Sequence, residues 1–65
     1  MLQFVDLNHA KHSIHIANLN NVVIRDAGDT HVVSFHMNGG HVVPVNVDRA
    51  TAEALFKKLG NIQYG

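Results

Sequence analysis

The chain has 65 residues, and its five Lys and Arg balance five Asp and Glu, leaving no net charge while the six histidines are neutral. Cysteine is absent, which excludes disulfides, thiolate metal sites and cysteine nucleophiles together. So short a chain predicts one domain over residues 1–65, with a marginal core that commonly relies on a second copy. No apolar run exceeds three residues, far short of the roughly 20 of a membrane span. Asp6 and the lack of a basic start argue against a signal peptide. A soluble, cytoplasmic protein is the expectation.

Leu2 to Leu7 is short and apolar-rich and predicts a first strand. Ser13 to Ala17 alternates, with Ile14 and Ile16 on one side and His15 and Ala17 on the other, and predicts a second. The cluster Asn18-Leu19-Asn20-Asn21 suits a turn, because Asn tolerates the left-handed region. Val22 to Arg25 is the next strand, Asp26-Ala27-Gly28-Asp29 the next turn, Thr30 to Met37 a further strand, and His41 to Val47 the last.

The register of the last hairpin follows from its faces. A two-residue Asn38-Gly39 turn would set Phe35 opposite Val42 and scramble the apolar side. A three-residue loop over Asn38-Gly39-Gly40 sets Met37 opposite His41, Phe35 opposite Val43 and Val33 opposite Val45, giving one apolar face. In that register Pro44 falls at a non-hydrogen-bonded position, so the last strand reads as an edge.

Asp48 is a natural N-cap for a helix over 49–59. Ala52, Leu55, Phe56 and Leu59 form one apolar stripe at i, i+3, i+4 and i+7. Glu53 and Lys57 are an i, i+4 pair, Lys57 and Lys58 suit the last turn, and Gly60 suits the stop. The expected fold is α+β: an antiparallel meander of four or five strands. Its C-terminal helix packs on the face of Ile14, Ile16, Val22, Ile24, Val33, Phe35, Val43 and Val45.

One helix covers one face. The other holds His15, Ala17, Val23, Arg25, Val32, Ser34, His36, Val42 and Asn46, too rich in valine for a face meant only for water. Its simplest use is contact. Val23, Val32, Val42 and Ser34 are the candidate homodimer interface, with the first strand's edge as the alternative. Arg25, His15 and His36 are the candidate partner-binding residues, because Arg and ring side chains give directional contacts.

Chemistry finds less support. His9-x-x-His12-x-x-His15 would gather metal-binding imidazoles on a helix, but in a strand residues three apart point to opposite faces. No metal or other cofactor is expected, although six histidines allow a response near pH 6. Ser13 and Ser34 lack a nucleophile elbow, and Asn38-Gly39-Gly40 opens no helix, so no catalytic residues are assigned.

Strands followed by one C-terminal helix resemble, in arrangement only, the dimeric single-stranded-DNA-binding transcriptional coactivator domains. That resemblance implies a basic groove and stacking aromatics. Five cations in all, with Tyr64 and Phe4 the aromatics outside the core pattern, supply neither fully, and zero net charge weakens the electrostatic term.

The function expected is therefore non-catalytic: a small homo-oligomer that inhibits or regulates a partner, of which phage or mobile-element anti-defence proteins are one type. Alternatives are a small-ligand binder, for instance of a nucleotide, at a subunit interface, a single-stranded nucleic-acid binder, and a His-based metal binder.

Overall fold

The computed structural model describes residues 1–60, so Tyr64 lies outside the described residues. The elements are β1 (Leu2–Val5), β2 (Lys11–Ile14), a 3-10 turn (Ile16–Asn18), β3 (Leu19–Asp26), β4 (His31–Met37), β5 (Val42–Val47) and α1 (Arg49–Gly60). The fold is the expected α+β class, with five antiparallel strands and one C-terminal helix among the described residues.

The meander is not continuous. β1 pairs with β2 in one sheet and β3-β4-β5 form another. The second strand lies at Lys11–Ile14 and not at 13–17, because the chain turns at His15: the Asn18 N–H donates to the His15 carbonyl at 3.1 Å and closes the 3-10 turn. Asn38 ties that turn to the β4–β5 loop, its N–H donating to Asn18 O at 2.7 Å. The start of β3 is thereby held beside the end of β4, while β2 departs with β1.

The last hairpin has the three-residue loop. The Met37 N–H donates to His41 O at 2.7 Å, Phe35 lies opposite Val43, and Val33 lies opposite Val45. Gly39 and Gly40 have φ of 98° and 92°, a region costly for residues with a Cβ. Alternation from the Met37–His41 pair puts Pro44, opposite Ser34, at a non-hydrogen-bonded position on an edge strand. Further along this edge, the Leu7 N–H donates to Asn46 O at 2.9 Å, so the β1–β2 loop covers part of it.

Val33, Phe35 and Val47 are fully buried on the inner face of β3-β4-β5. The helix does not cover this face alone. Leu2 and Ile14 come from the hairpin, and Ala52, Leu55 and Leu59 from α1, while Phe4 stacks on Phe35 with ring centroids 5.5 Å apart. Ile16, Val22 and Ile24 pack at the margin of this core, half-buried.

Two expected core residues are not in it. Val43 points to the inner face but is exposed, because among the described residues no strand lies beyond edge strand β5 to shield it. Phe56 is 72% exposed. Leu55 and Leu59 centre the helix over β4, and Phe56, about 100° around the axis from Leu55, overhangs β3. In a continuous meander β2 would lie there.

Asp48 caps α1, its Oδ1 accepting the Thr51 N–H at 2.7 Å, and hydrogen bonding to the Thr51 side chain first and to its N–H second holds the Asp48 carboxyl below its ordinary pKa. Glu53 accepts from Arg49 Nε at 3.0 Å, where Lys57 was the expected partner.

Leu55→Ala removes a side chain only 4% exposed at the helix–sheet contact and is expected to cost roughly 2–5 kcal/mol in urea unfolding. Gly40→Ala forces a Cβ into the left-handed region and is expected to cost about 1–2 kcal/mol. An unchanged midpoint for Leu55→Ala would contradict the packing described.

Candidate functional site

The outer face of β3-β4-β5 carries its side chains in three rows. Val23 lies level with Ser34 and Pro44, Arg25 with Val32 and Asn46, and Asn21 with His36 and Val42. This grouping follows from the period of two along each strand once the registers are set. Among the described residues no element packs over it, since helix and hairpin both lie on the inner face. Val23, Val32, Ser34 and His36 are half-buried by strand neighbours, Val42 is 49% exposed, and Arg25 and Pro44 are exposed. The face is thus a valine–proline patch with an Arg at one end and a His at the other.

Of the residues singled out from sequence, the structure brings together Val23, Val32, Val42, Ser34, Arg25 and His36. It does not bring His15. Because β2 ends at Ile14, His15 sits exposed at the corner leading into the 3-10 turn, outside the three-stranded sheet.

A second cluster was not foreseen. In the β1–β2 hairpin, His12 lies opposite Phe4 and stacks on it, with centroids 4.9 Å apart and planes within 12°. His12 Nε2 lies 2.7 Å from Asp6 Oδ2, and the other carboxylate oxygen accepts the N–H groups of Asn8 at 2.8 Å and Ala10 at 3.0 Å. The Asp6 side chain is only 11% exposed. The His12 hydrogen bond, then those from Ala10 and Asn8, hold its carboxyl below the ordinary value of 3.8. The pair closes a hairpin whose turn places His9 at φ 65°. An Asp before a turn is readable as a local acceptor. That it would meet His12 required the register.

Ser13, next to His12 in sequence, is not aimed at the Asp6–His12 pair: it follows His12 in the strand and therefore faces the opposite way. Among the described residues no three His, Asp or Glu side chains gather as metal ligands. On the inner face, His31 Nδ1 is buried without a hydrogen-bond partner, beside a groove lined by Ile24, Ala52, Glu53 and Phe56. No helix among the described residues is long and apolar enough to cross a membrane.

Compared with known proteins, the chain matches no family model, no curated protein and no solved structure. The functional reading therefore rests on geometry.

Lowered carboxyl pKa values at Asp6 and Asp48 mean that both groups stabilise the fold above their unfolded values. That contribution is lost as pH falls below about 3.8 and through the lower folded values. Asp6→Asn is expected to lower stability at pH 7 and to flatten the loss between pH 4 and pH 2, measured by urea unfolding across pH. A variant as steeply acid-sensitive as the parent would contradict the role given to Asp6.

Proposed function

We propose that the protein is a non-catalytic binding module that regulates or inhibits a protein partner docked on the outer face of β3-β4-β5. The observation that carries this reading is the uncovered patch of Val23, Val32, Val42 and Pro44, framed by Arg25 and His36, on a sheet whose other face holds the core. Apolar centres with a polar rim are how protein interfaces are commonly built. A rigid sheet presents them with little ordering cost on binding. Arg25 and His36 supply directional contacts at the two ends of the patch.

The rival readings have less to stand on. A nucleic-acid surface needs a cationic track, and the outer face offers one Arg. A metal site needs converging ligands, and the described histidines do not converge.

Retention of a partner from lysate of the source cell by the immobilised protein tests the proposal. Val32→Lys and Arg25→Ala are expected to reduce retention at least tenfold with melting curves close to that of the parent. Chelator is expected to have no effect. Retention untouched by both variants, or abolished by chelator, would overturn it. Binding that is lost steeply with salt and transfers to single-stranded DNA would support the nucleic-acid reading instead.

A further inference from the structure

We infer that two copies of this chain join through the free edges of their β3 strands, making one six-stranded sheet with Phe56 of each helix packed across the junction. Among the described residues β3 has a partner on one side only, β4. The Ala27 N–H donates to Thr30 O across the β3–β4 turn. Alternation from that pair assigns the backbone groups of Asn21, Val23 and Arg25 to β4, and those of Val22 and Ile24 to the open side. An uncovered strand edge is a template for pairing. The centre of this one is open: it has no Pro and no Lys, and its inner side chains there are Val22 and Ile24, with Arg25 and Asp26 confined to one end and a register shift between Leu19 and Asn21 to the other. The opposite edge, β5, is closed by Pro44 and the Leu7–Asn46 hydrogen bond.

Phe56 identifies the occupant as a further strand with its own apolar cover. Beside the β3 edge runs a groove lined by Val22, Ile24, Leu59 and Phe56, with Asn20 and Asn21 at its polar end, and Phe56 overhangs it while 72% exposed. Burying a phenylalanine removes about 150–250 Å² from water. A β3 strand from a second copy fills the groove beneath Phe56 and brings an equivalent ring to its far side.

Polarity selects the register. In an antiparallel pairing with Val23 opposite the second copy's Val23, Val22 meets Ile24 and Arg25 meets Asn21, and the pairing ends at the register shift between Leu19 and Asn21. Apolar then faces apolar, polar faces polar, and no like charges oppose. Pairing Ile24 with itself would set Asp26 against Val22, and pairing Val22 with itself would set Val23 against Asn21. The Val23 register also exchanges the backbone bonds of Val22 and Ile24 on both copies. It places the two-fold axis level with Phe56, which borders both residues in the groove, so the two rings meet. The outer faces are left free and joined side by side, which doubles the surface assigned above to a partner without depending on that assignment.

Cysteine scanning in this cysteine-free chain tests the arrangement. Val23→Cys is expected to oxidise to a disulfide-linked dimer, because non-hydrogen-bonded cross-strand pairs bring Cβ atoms within about 5.5 Å. Ser34→Cys, at the centre of the outer face, is expected to stay unlinked. Sedimentation equilibrium is expected to give twice the chain mass for the parent. Phe56→Asp, a change at an exposed site, is expected to weaken association at least tenfold while keeping the far-UV spectrum. A parent that is monomeric at several hundred micromolar, or cross-linking through Ser34→Cys in place of Val23→Cys, would overturn the inference. So would a Phe56→Asp protein that associates like the parent.

Discussion

The hydrogen bond from the Asn38 N–H to the Asn18 carbonyl, 2.7 Å long, sets the plan of this molecule. It holds the 3-10 turn at Ile16–Asn18 against the β4–β5 loop, so β3 begins beside the end of β4. Ile14 and Leu19, on either side of the turn, are both buried. The chain therefore reaches the core twice within six residues, and a straight strand across this stretch would not allow it. The ladder breaks here. β2 pairs with β1 alone, and the hairpin folds over the inner face to share it with the helix.

The open surfaces follow from that break. With β2 gone from its side, β3 keeps an edge unpaired among the described residues, and Phe56 hangs over it. With hairpin and helix both spent on the inner face, the outer face of β3-β4-β5 has no cover among the described residues. In a chain this short the core is small, and one element cannot be spared for each face. The features proposed as functional are those the fold leaves unfinished: an apolar outer face for a partner and an open strand for a second copy.

Local order was legible in the sequence where side-chain periodicity and turn chemistry agree. The β4–β5 register came from the demand that Val33, Phe35, Val43 and Val45 share a face, and Pro44 supported it independently. The helix came from Asp48, the Ala52–Leu55–Leu59 stripe and its basic last turn. The outer-face grouping of Val23, Ser34, Val32 and Val42 came from the same alternation and matches the observed rows. Sheet membership was not legible. The alternation of Ile14, His15 and Ile16 reads as strand, whereas the 3-10 turn closed by the Asn18–His15 bond and tied to Asn38 makes it a corner. That miss moved His15 off the outer face and misplaced Phe56, whose burial depended on a strand beyond β3. The Asp6–His12 pair was hidden for a related reason: a five-residue connection between β1 and β2 has no periodicity from which to read the register.

The central claim is the break between β2 and β3, and cross-strand nuclear Overhauser contacts between Hα protons test it most directly. Non-hydrogen-bonded antiparallel pairs bring these protons closest. The account predicts contacts for Gln3 with Ser13, Val22 with Phe35, Ile24 with Val33, and Ser34 with Pro44. It predicts none joining Lys11–Ile14 to Asn21–Arg25. A ladder of contacts between those two segments would make the sheet continuous, cover Phe56, close the β3 edge and contradict the account.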